Sequence, residues 1–241
     1  MPIRNLLQKS SQTLLDFFLP PHCLNCKTLG SWLCQDCIGT IALLPLTVCE
    51  HCGEPQTTQT LCPRCLHHPL QSLDGVRAAS YFENNPIRVA IHGLKYQNHR
   101  AIASVLSQLL IDAYQRYELK TDVIIPVPLH PARLKERGYN QSTLLAVQMG
   151  EFFNLPVNNT TLCRIRQTRP QVGLGIDERK QNVEDAFQCI EGVVSDQNVL
   201  LVDDVWTTGA TMNACALALK RGGASSVWGL TLARAGVGSS A

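Results

Sequence analysis

Residues 199–212 read VLLVDDVWTTGATM, and the reading of this stretch decides the fold. Four apolar residues run into the adjacent carboxylates of Asp203 and Asp204, and a loop of threonines, glycine and alanine follows at once. Neighbouring like charges repel and a buried carboxylate is costly to desolvate, so a buried strand rarely ends this way without something to hold. The loop, Thr207-Thr208-Gly209-Ala210-Thr211, lies between a strand end and a helix start. Its small side chains let backbone N–H groups approach an anion, and the helix N-terminus adds a favourable dipole. Threonine hydroxyls complete a phosphate cradle. The two carboxylates before it accept hydrogen bonds from vicinal hydroxyls or help to site a metal. A phosphate cradle beside a diol acceptor describes a site for ribose 5-phosphate.

Outward from this stretch the chain alternates strand-like and helix-like patterns from about residue 70. GVRAASYF (75–82) reads as a strand, and PIRVAIHGLKYQ (86–97) and RAIASVLSQLLIDAYQRY (100–117) have helical spacing. DVIIPVPL (122–129) is a buried strand stopped by prolines, and Asn140 opens a helix over NQSTLLAVQMGEFFN. TTLCRIR (160–166) is strand-like, NVLLVDD (198–204) is a central strand, TGATMNACALALKRGG is a helix closed by glycines, and SVWGLTLAR (226–234) is the last strand. The alternation predicts an α/β fold with a mostly parallel sheet flanked by helices. In such sheets ligands bind beyond the carboxyl ends of the strands, which here are the loops after Val127 and after Asp204.

Competing uses of the acidic pair fail on missing partners. A Walker B carboxylate needs a P-loop GxxxxGK[ST], which the chain lacks. A dinucleotide fold needs GxGxxG after an early strand, also missing, and a receiver domain carries its acidic pair on its first strand. A plain helix cap through Thr207 or Thr208 explains the threonines but not both aspartates.

The 241 residues are 45% hydrophobic and 17% charged with a net charge of +2, so any polyanion site must be local. No apolar run reaches the roughly 20 residues that cross a bilayer, so no stable membrane insertion is expected. The opening MPIRNLLQKSSQTLLDFFLPP does not read as a signal peptide, because its apolar stretch is short and holds Asp16. Leu7, Leu14, Leu15 and Phe18 share a helical face, which predicts a short amphipathic helix over 1–21 ended by Pro20-Pro21. Packing on its own protein is preferred there to docking on a membrane or partner. A cytoplasmic location is expected.

Eight of the eleven cysteines form four CxxC pairs between residues 23 and 65. A CxxC turn points two thiolates at one spot, and two such turns supply the four soft ligands of a tetrahedral zinc site. Eight ligands make two sites. Short gaps favour sequential pairing, Cys23, Cys26, Cys34 and Cys37 in one, Cys49, Cys52, Cys62 and Cys65 in the other; an interleaved cross-brace is the alternative. Disulfides would need an oxidising compartment, c-type haem would need CxxCH, and redox CxxC motifs stand singly. Few apolar residues separate the ligands, so metal is expected to fold this module. Cys163, Cys189 and Cys215 stand apart and are expected to pack in the core.

VLLVDDVWTTGAT resembles the signature of type I phosphoribosyltransferases. The resemblance implies that Asp203 and Asp204 bind the ribose hydroxyls of phosphoribosyl pyrophosphate (PRPP) and that Thr207, Thr208, Gly209, Ala210 and Thr211 hold its 5′-phosphate. Trp206 falls at a variable position, there to line the acceptor pocket or to pack. The CxxC array, HGLKYQ (92–97), PVPLHPARLKERGYNQS (126–142), RQTRPQVGL (166–174) and DERKQNVEDAF (177–187) resemble the competence protein F (ComF) family, which includes GntX-like proteins, over residues 14 to 234. This implies a type I phosphoribosyltransferase fold over 71–241 behind a double zinc ribbon over 22–70, linked to DNA uptake in natural transformation.

With that fold the basic run after Val127 gains a role. Arg133, Lys135 and Arg137 suit a pyrophosphate clamp, because guanidinium groups bond phosphate oxygens bidentately, and Lys95 is a further candidate. Arg164, Arg166, Arg169 and Gln171 fall where type I enzymes carry a hood loop over PRPP. Mg²⁺ is expected with PRPP, and two structural Zn²⁺ in the ribbons. The expected chemistry is phosphoribosyl transfer, yet LTLARAGVGSSA after the last strand names no acceptor. A catalytically silent PRPP sensor or adaptor is one alternative. A factor that handles single-stranded DNA through ribbons and basic loops, with other DNA-uptake proteins as partners, is the other.

Overall fold

The computed structural model describes residues 20–58, 60–83, 85–166, 178, 182–183 and 185–235. The amphipathic helix expected over 1–21 lies outside them except for its two prolines, as do Arg169 and Gln171 of the expected hood. The described strands are β1 (Gly75–Tyr81), β2 (Val123–Pro126), β3 (Leu162–Arg164), β4 (Phe187–Cys189), β5 (Asn198–Trp206) and β6 (Ser226–Arg234). The helices are α1 (Gln35–Gly39), α2 (Pro63–His67), α3 (Pro86–Tyr96), α4 (Ile102–Arg116), α5 (Pro131–Arg137), α6 (Gln141–Phe153) and α7 (Ala210–Arg221).

A four-stranded sheet in the order β1-β6-β5-β2, parallel at every pairing, forms the centre. Because β2 and β5 are neighbours running the same way, the loops that leave their carboxyl ends open into one crevice. Both predicted ligand loops therefore face each other across it.

Local sequence explains where the elements begin and end. Asn85 caps α3 by accepting from the Ile87 N–H at 3.0 Å, and Pro86 follows at the first helical position, where its missing N–H costs nothing. Asn140 caps α6 in the same way through the Ser142 N–H. The strand predicted over 122–129 stops at Pro126; Val127 adds one more ladder bond to the Val202 carbonyl, and Pro128 then has no N–H to give. The strand predicted over 160–166 shrinks to Leu162–Arg164 and lies outside the main sheet. Asn158 accepts from the Thr160 and Thr161 N–H groups, which bends the chain before a strand can start. What remains pairs antiparallel with β4, a strand the pattern did not announce.

Consecutive strand residues serve opposite faces of the sheet. Ile124, Leu200 and Val202 pack with α3, α4 and α6, and with Cys23, Leu33 and Cys37 of the first ribbon. Val123, Val199 and Leu201 pack with α7, Phe187 and the four cysteines of the second ribbon. The two ribbons thus join opposite faces. Between them they also cover the β1 edge, since Leu44 and Val76 N–H groups bond the Ala79 and His51 carbonyls. Among the described residues, no helix is long and apolar enough to cross a membrane.

Candidate functional site

The strand register resolves the problem of the paired carboxylates. Asp203 and Asp204 point to opposite sides of β5, and each is met by one residue of the first turn of α6. Ser142 Oγ donates to Asp203 Oδ1 at 2.8 Å, and Gln141 Nε2 donates to Asp204 Oδ2 at 2.8 Å. The helix N-terminus behind these two side chains favours negative charge. Asp204, 3% exposed, also takes a 2.7 Å ion pair from Lys95 Nζ. Burial alone would lower the Lys95 pKa, but the Asp204 carboxylate outweighs it and the value is raised. Asp203 accepts in addition from the Asp204 N–H at 2.9 Å. Burial, and then the charge of Asp204, push the Asp203 carboxyl up to about 7 even with Lys95 acting the other way.

The loop after β5 wraps over Trp206, which is 2% exposed. Gly209 has φ +82°, and a Cβ there would sit 2.2 Å from the Trp206 ring. Only glycine meets both demands. Gly209, the N-cap of α7, has no side chain to cap it, and Thr208 Oγ1 accepts from the Ala210 N–H only at a long 3.4 Å, so the partial positive charge of the first turn faces the cavity. Thr207, Gly209, Ala210 and Thr211 line that cavity, whose volume is about 840 Å³. Thr208 does not line it; its carbonyl turns away and accepts from Arg64 at 3.0 Å. Trp206 both packs beneath the loop and lines the cavity.

The basic segment is a helix, α5, rather than a loop. His130 Nδ1 accepts from the Ala132 N–H at 3.2 Å, Pro131 opens the helix and Gly138 at φ 78° ends it, which are start and stop signals already present in HP…RG. Helical spacing then separates the three cations. Arg133 lines the cavity, whereas Lys135 and Arg137 do not. Arg137 donates to Gln141 Oε1 and lies over the Tyr96 ring at 5.4 Å, so it reaches the site through Gln141 and Asp204. Lys95, expected at pyrophosphate, is paired with Asp204. Of the expected hood, Arg164 lines the cavity and Arg166 donates to the Asn182 carbonyl. Burial lowers the Arg164 pKa, with Cys215 and Asp203 opposing and Arg133 adding to the shift.

The eight ribbon cysteines gather sequentially, Cys23, Cys26, Cys34 and Cys37 in one cluster and Cys49, Cys52, Cys62 and Cys65 in the other, each with its Sγ atoms within 4.8 Å of one another. The interleaved arrangement is therefore set aside. Cys23–Cys37, Cys26–Cys34 and Cys52–Cys62 stand at 3.7, 3.5 and 3.6 Å. A tetrahedron of thiolates at Zn–S distances of about 2.3 Å has edges of about 3.8 Å, so both clusters fit zinc. Their thiols are pulled apart electrostatically. Burial raises Cys23 and Cys49, but backbone N–H donors outweigh it and bring them to about 6 and about 7. Asn25 lowers Cys37, yet burial and its neighbouring thiols push it up to about 12; burial pushes Cys52 up to about 11 against the pull of Arg234. Four thiolates cannot share so small a volume without a cation.

Cys163 corrects an expectation: it is exposed, because the alternation of β3 turns it to solvent, while Cys215 is buried and Cys189 partly so. Sequence reading passed over Gln141, Ser142 and Arg64 as site residues. For the first two a signal existed, since polar residues directly after a helix cap at a strand-end crevice are placed to bond what the strand presents.

A double zinc ribbon domain family matches residues 14–66, and a phosphoribosyl transferase domain family matches residues 92–239. Competence protein F of Haemophilus influenzae is 34% identical over 226 residues, covering 88% of this chain and 97% of its own length. DNA utilization protein YhgH of Escherichia coli K12 is 34% identical over 219 residues, 87% of this chain and 95% of its own. Among solved structures, glutamine PRPP amidotransferase from B. subtilis aligns with 58% of this chain and 30% of its own at 20% identity and a TM-score of 0.41.

Proposed function

This chain belongs to the competence protein F family, a double zinc ribbon joined to a phosphoribosyl transferase domain, and from that premise we propose that its cavity binds PRPP with Mg²⁺ and transfers the phosphoribosyl group. The observation that carries the reading is the placement of Asp203 and Asp204, each held by one residue of α6, beside an uncapped small-residue loop in one crevice. The relatives' names, competence protein and DNA utilization protein, support a role in the use of imported DNA. The functional boundary falls near residue 70, with the ribbons before it.

In this reading Thr207, Gly209, Ala210 and Thr211 receive the 5′-phosphate through backbone N–H groups and hydroxyls. Asp203 and Asp204 accept hydrogen bonds from the ribose hydroxyls, and Lys95 supplies the counter-charge to Asp204. Arg133 of α5 and Arg164 of β3 both line the cavity and face the pyrophosphate. Mg²⁺ bound together with PRPP would offset charge on the leaving group. The acceptor's lone pair forms a bond to the ribose C1 carbon as the C1–O bond to pyrophosphate breaks. Pyrophosphate leaves with that electron pair, and the acceptor gives its proton to solvent. Two carboxylates close to the ring favour the positive charge that develops there.

The ribbons are poorly equipped for nucleic acid. Residues 22–70 carry only Lys27 and Arg64 as Lys or Arg. Lys27 donates to the Leu24 carbonyl and Arg64 to Thr208, so few cations remain for phosphate neutralisation. Titration calorimetry with PRPP and Mg²⁺ tests the proposal. Wild type binds, and Asp203→Asn and Asp204→Asn each weaken binding at least about tenfold, a loss of about 1.4 kcal/mol. Absence of binding to the wild type ends the reading. Binding with no pyrophosphate release on adding nucleobases or amines would assign a PRPP sensor instead of a transferase.

A further inference from the structure

Arg64 belongs to neither predicted site. It occupies the CPRC turn of the second ribbon, between two metal-cluster cysteines, yet its Nη2 donates to the Thr208 carbonyl at 3.0 Å across 144 residues of sequence. We propose that Arg64 is a positioning residue for the phosphate loop, through which the second ribbon sets the direction of the loop's N–H groups.

In a trans peptide the C=O and the N–H of one unit point to opposite sides. The Thr208 carbonyl and the Gly209 N–H belong to one such unit. Holding the carbonyl outward on Arg64 aims the Gly209 N–H inward, and Gly209 lies on the cavity wall. Glycine at φ +82° is the residue least able to keep a peptide plane fixed by its own sterics, so the plane needs an outside restraint. A charged donor is a strong one.

The restraint is itself anchored. The Cys62 N–H donates to Cys49 Sγ and the Cys65 N–H to Cys62 Sγ, so the turn that carries Arg64 is fixed by the thiol cluster. Two further ties join this ribbon, and the segment directly after it, to the same region. Asn213 of α7 accepts from the Gln71 and Ser72 N–H groups at 3.1 Å each. Arg234, at the end of β6 beside Trp206, donates to the Cys52 carbonyl and pairs with Glu54. The ribbon therefore backs the phosphate loop from behind, opposite the cavity.

The proposal rests on the PRPP reading for its ligand and predicts a split between the two halves of that ligand. Full-length wild type, Arg64→Ala and Arg64→Lys, each checked for two zincs per chain, are titrated separately with ribose 5-phosphate and with magnesium pyrophosphate. Arg64→Ala weakens ribose 5-phosphate at least about tenfold and leaves pyrophosphate within about twofold, while Arg64→Lys retains most of the affinity for both. Hydrogen exchange read by mass spectrometry shows faster exchange in residues 207–211 of Arg64→Ala and none in β2. Unchanged ribose 5-phosphate binding and unchanged loop exchange would overturn the proposal, and so would equal loss of both ligands or loss of the second zinc in both variants. If wild type binds neither ligand, the PRPP reading falls, and exchange confined to the loop still decides whether Arg64 holds it.

Discussion

The two ribbons share a ligand set and differ in what they are built into. In the second, all four cysteines are buried and share a core with Trp206, Ala210 and Met212 under the loop after β5. In the first, Cys26 is exposed, Cys34 is partly exposed and packs against the core, and Cys23 and Cys37 are buried in it, on the opposite face of the sheet. Leu24 and Lys27 of the first ribbon line the cavity, whereas Arg64 of the second bonds the Thr208 carbonyl in the loop after β5. Equal chemistry at the metal therefore need not mean equal consequence. What a zinc site does for a domain depends on how much of the core it organises around itself.

The largest expected effect comes from breaking the second cluster. Cys62→Ser removes one zinc of two and costs about 5 kcal/mol or more, because binding free energy at such sites is folding free energy. For a chain of this size that lowers Tm by on the order of 10–20 °C, measured by calorimetry. Cys26→Ser also removes one zinc but shifts Tm by less than half as much. A competing chelator followed by absorbance releases zinc in two phases, the faster from the first ribbon. Equal Tm losses and a single phase would erase the distinction.

Gly209→Ala sharpens it at a smaller scale. The methyl group meets the Trp206 ring and the backbone sits at positive φ, so the cost is about 1–3 kcal/mol by denaturant titration. Because Trp206 shares the second ribbon's core, chelation of the second zinc speeds up while the first is unaffected.

The smallest effect is a pH dependence that belongs to Asp203, the carboxylate on the second ribbon's side of the sheet. Its pKa, about 7, lies above the ordinary 3.8, so folding takes up a proton between these values. Its contribution to stability is complete below about pH 4 and is lost as pH rises through about 7. Ligand-free stability thus declines between about pH 4 and 7, and Asp203→Asn flattens that decline in urea titrations at each pH. Affinity for PRPP moves the other way and rises through pH 7, since the ionised carboxylate is the stronger acceptor.

Much of the site was legible because it is local. Small residues after a strand announce a tight loop into a helix, and Asn140 before Gln141 announces a helix start; the structure has both. The clamp was legible only as composition. Arg133, Lys135 and Arg137 read as one basic loop until the start signal at Pro131 and the stop at Gly138 are taken as a helix, which leaves Arg133 alone on the cavity. The β3–β4 pair was missed because Phe187-Gln188-Cys189 is too short to show a period, and its stability comes from Leu162 and Phe187 packing beside α7.

Cysteine spacing by itself determined two four-cysteine clusters, and VLLVDDVWTTGATM by itself determined a strand, an acidic end and a small-residue loop before a helix. Both are set by bonds and torsions within a few residues, which sequence spacing encodes directly. Only the tertiary structure decided that Ser142 and Gln141 hold one aspartate each and that Arg64 reaches Thr208. Those contacts join residues 61, 63 and 144 positions apart, and no local pattern constrains them. The register of β5 in the sheet and the seating of the second ribbon on its face bring them together, and both are set by burial of apolar surface summed over the whole core.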